Sequence, residues 1–378
     1  MEKKLENMVF VLLFLLIVSL PPLFTDRENG RVSEVENRRL ASRPEIIRED
    51  GSINTGFLRD FEKWFNDSVG FRSALVFADA RLQYDLLHQL PAGSNMYLGR
   101  DGAVNYATDE IIRDYQRFNL KSDAELQEIA AGYQRVSDFL RAQGIQYYYV
   151  QCWDKQSIYP EYFPDTVYQY GEESKTDAVM RALEENTDVN VINLKGVLME
   201  SKEFCEPYTK YGDPTHWSSR GAYIGYRRVM EEINQNNGGR LKVLEESDYD
   251  LTPVDKGTDL VGGIHLTQME ERFAIRDPHA AYTREKLTAY ADVVWNSYWV
   301  NASAENDLRC LILGDSYFDA YLLDDFAESF RETVYIWAES PWDIYGLIEA
   351  YHPDIILNEN AERCDRFADM AAAAKAIR

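Results

Sequence analysis

From Ala124 onward the chain alternates helix-like and strand-like segments, and that rhythm constrains its fold more than any other feature. Helix-period runs at 124–143 and 175–186 precede strand-like runs at 146–152 and 189–194. Another helix is expected at 218–234. Then comes the series strand 309–317, helix 319–331, strand 332–338, helix 342–351, strand 354–358 and helix 361–376. Strands joined by helices in this way predict an α/β fold, a mainly parallel sheet with helices on both faces. The stretch from about 238 to 306 breaks the rhythm with Gly-Gly pairs and mixed short runs, so an inserted, partly β region is expected there.

Within the series, Arg309-Cys-Leu-Ile-Leu-Gly-Asp-Ser-Tyr-Phe318 stands out. A short apolar run ending in Gly-Asp-Ser before a helix-like segment delivers Ser316 to a helix N-terminus, where free backbone N–H groups can hold a developing oxyanion. A serine hydroxyl needs a base, and a base needs a carboxylate to orient it. Tyr211-Gly-Asp-Pro-Thr-His-Trp-Ser218 supplies both, with Asp213 three residues before His216 in a turn. His88, His265, His279 and His352 have no comparable context. Taken singly, Ser316 and Asp213 are as well explained as helix caps; together the three residues make a nucleophile, base and orienter. Asp315 reads as a turn-stabilising side chain. Trp153 and Lys155 follow the strand 146–152, where loops often line sites; they, Trp217 and Tyr317 are expected as substrate contacts, with core packing the commoner outcome for such aromatics.

The N-terminus bears on compartment. Lys3 and Lys4 precede Met8 to Phe24, a run with no charge and about the shortest length able to span a bilayer. Ser-Leu-Pro-Pro-Leu-Phe-Thr offers no small-x-small cleavage pattern, so an uncleaved anchor over 1–24 is expected, with the lysines inside and the body extracytoplasmic. Residues 25–75 read as a polar stalk (Thr25 to Thr55) and a helix whose aromatic face, Phe57, Phe61, Trp64 and Phe65, should be buried. Ala74 to Leu90 reads as an amphipathic helix and Tyr97 to Gly102 as a hairpin with Asp-Gly turn chemistry. Residues 76–378 are then one α/β domain carrying the insert. With 45% hydrophobic residues the chain can build a sizeable core, and a net charge of -24 argues against nucleic acid and against polyanionic substrates. The abundance of aromatics, 25 tyrosines and seven tryptophans, suits either sugar stacking or core packing. Four cysteines lack metal-ligand spacing, so no metal and no cofactor are expected.

These residues carry a resemblance. The Gly-Asp-Ser turn at 314–316 looks like the nucleophile block of SGNH-type hydrolases, and Asp213-Pro-Thr-His216 resembles their Asp-x-x-His block in reversed order. That order, with Trp217 after the histidine, is similar to the alginate O-acetyltransferase-like proteins and the DHHW family of membrane-anchored proteins. Glu36-Asn-Arg-Arg-Leu-Ala-Ser-Arg-Pro-Glu45, Phe61-Glu-Lys-Trp-Phe-Asn-Asp-Ser-Val-Gly-Phe-Arg72 and Tyr159-Pro-Glu-Tyr-Phe-Pro164 agree with it. The chain departs from the pattern in lacking a Gly-x-Asn-Asp block; Asn358, Asn360 and Arg363 fall near its place, and Asn360 and Arg363 are taken as candidate contacts. The resemblance implies extracytoplasmic O-acetyl transfer to a glycan through an acyl-Ser316 intermediate, with a membrane-bound O-acyltransferase as acyl donor. A carbohydrate acetylesterase is the alternative in the same chemistry, and a non-catalytic glycan-binding or assembly protein the alternative in another class.

Overall fold

Two stretches with near-continuous apolar character, Cys310 to Leu313 and Ile355 to Leu357, pair side by side in parallel and form the middle of the molecule's main sheet. In a computed structural model, residues 2–26, 32–33, 38–48, 50–91, 94–106, 108–260, 263–337 and 343–377 are described. The main-sheet strands are β1 (Gln146–Cys152), β2 (Asn190–Asn193), β3 (Ala281–Tyr282), β4 (Ser297–Val300), β5 (Arg309–Gly314), β6 (Glu332–Trp337) and β7 (Ile355–Ala361). They lie in the order β2-β1-β7-β5-β6-β4-β3. From β2 to β6 every neighbouring pair is parallel; β4 joins β6, and β3 joins β4, antiparallel. Strands β5 and β7 are buried almost throughout, which is what a parallel sheet covered on both faces demands of its central strands.

The helices start where the sequence can cap them. Ser122 accepts from the Glu125 N–H while the Glu125 carboxylate accepts from the Ser122 N–H, and Ser174 and Asp177 repeat the exchange. These capped helices, Asp123–Ala142 and Lys175–Asn186, pack on one another, and Phe367–Ala376 packs on the first. A second group pairs Lys195–Ser201 with Ser219–Asn236. The mainly parallel α/β architecture with helices is therefore as the alternation predicts.

Several details differ. The helix expected over 319–331 is two short ones, Ser316–Asp319 and Leu323–Ser329, and Ser316 itself opens the first. The last strand runs on to Ala361, so Asn358, Glu359 and Asn360 sit in a buried strand although their polarity reads as loop. Within the stretch 238–306, Tyr249–Leu260 and Ile264–Ile275 pair as a separate two-stranded ribbon, while β3 and β4 extend the main sheet. Positions 338 and 342, expected at element ends, lie outside the described residues.

The described residues divide into two compact units, 1–94 with 259–266, and 95–258 with 267–378. In the first, the helix Glu2–Leu23 is long and apolar enough to cross a membrane, and its side chains are exposed along the apolar run. Part of the expected stalk, at 27–31, 34–37 and 49, lies outside the described residues. The rest folds back rather than extending: Asp26 N–H donates to the Ser68 carbonyl at 2.7 Å and Ala41 N–H to Asp67 Oδ2 at 2.8 Å. Of the four aromatics expected to be buried together, only Trp64 is; Phe61 packs its ring on Phe57, Trp64 and Phe65 yet stays partly exposed. The helix Arg72–Leu87 exposes Leu75, Phe77, Leu82, Leu86 and Leu87 and is not cleanly two-faced. In the second unit the expected hairpin is present as Met96–Leu98 paired with Val104–Tyr106.

Candidate active site

Three neighbouring strands, β1, β7 and β5, end on the same side of the sheet and supply most of the site. Strand β5 ends at Gly314, where a Cβ would come within 2.8 Å of the Glu359 carboxylate, so the chain needs glycine to turn there. Asp315 then caps the short helix: its Oδ1 accepts from the Tyr317 N–H at 3.1 Å and its Oδ2 from the Ala361 N–H at 2.9 Å. The Asp315 N–H donates to Glu359 Oε2 at 2.7 Å. Burial, reinforced by the Asp315 charge, pushes the Glu359 carboxyl well above the usual range. The result is a partly exposed Ser316 directly after a buried, well-bonded Asp315.

His216 arrives from a different part of the fold. Its Nε2 lies 2.9 Å from Ser316 Oγ. On the other side of the ring, Nδ1 is 2.8 Å from Thr215 Oγ1 and 3.4 Å from Asp213 Oδ2. Thr215 Oγ1 in turn donates to Asp213 Oδ1 at 2.9 Å, and the same oxygen accepts from the N–H groups of Thr215 and His216 at 2.8 and 2.9 Å. Burial alone would raise the Asp213 carboxyl, but the bonds and charge of His216 together with the Thr215 and His216 N–H groups hold it well below the usual carboxylate range. A carboxylate fixed in this way keeps the proton of the imidazole on Nδ1 and leaves the Nε2 lone pair facing the serine. Thr215, a relay between the two, carries no signal in the sequence beyond its position.

Arg363 is the one expected contact that reaches the hydroxyl. Its Nη2 lies 3.4 Å from Ser316 Oγ and 3.5 Å from His216 Nε2, and its Nη1 bonds the Asp154 carboxylate. Burial disfavours the guanidinium charge, yet Asp154, with the Tyr317 hydroxyl, binds the proton more firmly than usual. Beneath this pair, Glu362 accepts from the Asp154 N–H and from Ser157 Oγ at 3.0 and 2.8 Å; burial, with the Asp114 and Asp154 carboxylates, pushes it up to about 8.

The other expected contacts lie beneath the site instead of lining it. Trp153, Trp217 and Tyr317 are fully buried, and Lys155 and Asn360 are nearly so. Trp217 packs edge-on to Tyr317 at 5.0 Å and against Gly225, where a Cβ would come within 2.8 Å of its ring. The Tyr317 hydroxyl is within 2.9 Å of the carbonyls of both Trp153 and Thr215, tying the serine's helix to the histidine's loop. Asn360 bonds Gln151 within the sheet, and Asn358 accepts from Tyr147. Buried between neighbouring strands, the Asn360 amide does not face a substrate. Lys155 donates to the carbonyls of Val104, Lys210 and Asp213 at 2.6, 3.0 and 3.3 Å, and burial lowers it to about 7, with Asp213 and Glu206 acting against the shift. Its task is to hold the loop that carries Asp213.

Sequence reasoning missed the ribbon's part in this loop. Gln268 Oε1 accepts from the N–H groups of Lys210 and Tyr211 at 2.7 and 3.0 Å, and Thr258 Oγ1 donates to the Gly212 carbonyl at 2.8 Å. Lys256 Nζ stands 3.8 Å from Asp213 Oδ2 and donates to the Tyr321 hydroxyl at 3.0 Å. Nothing in 249–275 distinguishes these residues from an ordinary polar ribbon. Among the described residues no group of His, Cys, Asp and Glu is arranged to hold a metal ion, and the four cysteines are free thiols.

Residues 107–293 match the family model of the SGNH hydrolase-like domain of acetyltransferase AlgX. The match takes in Asp213 and His216 and ends before Ser316. No protein of curated function matches the sequence significantly. Among solved structures the fold is similar to Bacillus cereus PatB1, with 18% identity, a TM-score of 0.52 and coverage of 72% of this chain and 97% of that one. PatB1 with a sulfonyl adduct aligns over 66% and 93% of the two chains, with 19% identity and a TM-score of 0.50. A DHHW family protein from Eubacterium siraeum aligns over 75% and 95%, with 16% identity and a TM-score of 0.49. The likeness to PatB1 is one of fold.

Proposed function

We propose that this SGNH hydrolase-like protein moves O-acetyl groups onto a glycan outside the cytoplasmic membrane, with Ser316 as nucleophile, His216 as base and Asp213 as its orienter. The observation that carries this reading is the 2.9 Å approach of His216 Nε2 to Ser316 Oγ, backed by an Nδ1 that is already committed to Thr215 and Asp213. In the first half-reaction Nε2 takes the hydroxyl proton as Oγ attacks the acetyl carbonyl; the leaving group departs with that proton, and acetyl-Ser316 remains. In the second, a sugar hydroxyl gives its proton to Nε2 and attacks the acyl carbon, and Ser316 recovers its proton from the imidazolium. The Ser316 N–H, which has no acceptor among the described residues, and the Arg363 guanidinium are the donors nearest to the oxyanion in both steps.

Residues 1–24 are the anchor in this scheme, holding 25–75 and the catalytic domain 76–378 at the outer membrane face. There a membrane-bound O-acyltransferase could hand over the acetyl group and a glycan could receive it. Sodium carbonate washing should therefore leave the full-length protein in the membrane fraction. Incubating the protein with p-nitrophenyl acetate and a glycan oligosaccharide should yield sugar carrying one added acetyl group by mass spectrometry, and none with Ser316→Ala. Free acetate with no acetylated sugar, across oligosaccharides of several classes, would overturn transfer in favour of hydrolysis.

A further inference from the structure

A cavity that the proposed mechanism does not use opens between the segment after Ser316 and the edge strands β3 and β4, with a volume of about 370 Å³. Its walls include the rings of Tyr282, Trp295 and Trp299 and the carboxylates of Asp319 and Asp324. Tyr282 and Trp295 are 55% and 57% exposed, unusual for side chains of this size unless something covers them in use. Trp295 is not on a loose loop: the Arg284 guanidinium donates to the carbonyls of Ala291, Val293, Val294 and Asn296 at 2.8–3.2 Å and pins the bend that presents it.

One wall of the cavity, Asp319 to Tyr321, follows Ser316 directly in the chain. Asp319 is one helical turn beyond Ser316. Tyr321, which also lines the cavity, has its ring 6.2 Å from the His216 imidazole. Aromatic rings offer an apolar, polarisable surface for the C–H faces of a pyranose, while carboxylates accept hydrogen bonds from its hydroxyls. The described lining holds no lysine or arginine to receive a sugar carboxylate, and two aspartates within a partly enclosed space repel one.

We infer that this cavity is the acceptor subsite of the enzyme and that it takes an uncharged pyranose unit while rejecting uronates. The inference rests on the acyl-transfer reading, since it places the sugar whose hydroxyl meets acetyl-Ser316. Trp295 and Tyr282 form the stacking surface. Asp319 and Asp324 read the hydroxyls.

The test is calorimetric titration of the full-length chain in detergent with neutral tetrasaccharides of glucose, mannose and galactose, and with tetragalacturonate. At least one neutral tetrasaccharide should bind and tetragalacturonate should not. Trp295→Ala and Tyr282→Ala, each checked for an unchanged melting temperature, should weaken the neutral sugar by roughly tenfold, the scale of one aromatic contact. Asp319→Asn combined with Asp324→Asn should let tetragalacturonate bind. Absence of binding by every neutral sugar, equal binding of tetragalacturonate by the unaltered chain, or neutral binding unchanged in both aromatic variants would overturn the subsite. Turnover of p-nitrophenyl acetate by the unaltered chain is measured alongside: sugar binding without turnover counts against the acyl-transfer reading, and turnover without sugar binding counts against the subsite alone.

Discussion

The two halves of the candidate site are built in opposite ways. Ser316 is held by the sheet: Asp315 bonds Glu359 and Ala361 of β7, and the Tyr335 hydroxyl of β6 donates to the Asp315 carbonyl at 3.0 Å. Each partner is on a strand hydrogen-bonded to β5, so the fold that forms the sheet also forms the turn. The loop 209–216 has no such bonds to strands of the main sheet. It is held by side chains scattered along the chain, Lys155, Thr258, Gln268 and Tyr317, and by backbone bonds from Val104 and Tyr106. Ser316 is thus placed by topology and His216 by long-range polar contacts, which makes the histidine's half the more vulnerable one.

The sharpest break in this contrast comes from the residues that must act together. His216→Ala should lower turnover of an activated acetyl ester as completely as Ser316→Ala, by on the order of 10⁴-fold or more, because members of such a unit are not additive. Steady-state rates within tenfold of the unaltered protein for His216→Ala would move the base elsewhere. Next in size is Lys155→Met. It removes the bonds to the carbonyls of Val104, Lys210 and Asp213, a cost of about 3 kcal/mol, and frees the Asp213 loop. Displacement of the base by even ~1 Å is enough for roughly a hundredfold fall in kcat with little change in KM. A denaturant midpoint and kcat both like the unaltered protein's would show that the loop does not depend on this lysine.

How much of this was legible follows the same divide. The alternation marked the parallel sheet, and Gly314-Asp315-Ser316 marked the turn, because local sequence encodes a strand, a glycine that must approach Glu359 and a capping aspartate. Asp213 and His216 were visible as a pair three residues apart. What held them was not: Lys155 and Trp153 were expected to meet substrate, since a strand's end often does, but the lysine's three carbonyl partners come from residues 104, 210 and 213. Asn360 failed for a related reason. Its strand runs three residues past the expected end, and Gln151 on the neighbouring strand takes its amide. Arg363 keeps its place because β7 ends just before it, beside β5.

Smaller effects sharpen the comparison further. Thr215→Val removes the hydroxyl between His216 Nδ1 and Asp213 but leaves the carboxylate 3.4 Å away, so kcat should fall by roughly tenfold, the scale of one lost hydrogen bond. A fall as large as that of His216→Ala would make the threonine, and not the aspartate, the essential orienter. On the serine side, Glu359→Gln should change turnover and stability least of all. Burial and the Asp315 charge disfavour a charge on the glutamate, and glutamine keeps the oxygen that the Asp315 N–H needs. A loss of stability beyond about 2 kcal/mol would mean that the charged form is the one the turn requires.

The central claim is that His216 activates Ser316 as a nucleophile, and covalent trapping tests it most directly. Unaltered protein and His216→Ala are treated with phenylmethylsulfonyl fluoride, and the adduct is located by peptide mass mapping over time. The account predicts one sulfonyl adduct, on Ser316, forming at a rate that drops on the order of 10³-fold or more when His216 is alanine. An adduct on another residue, no adduct on the folded protein, or labelling of Ser316 at the same rate in both proteins would contradict it.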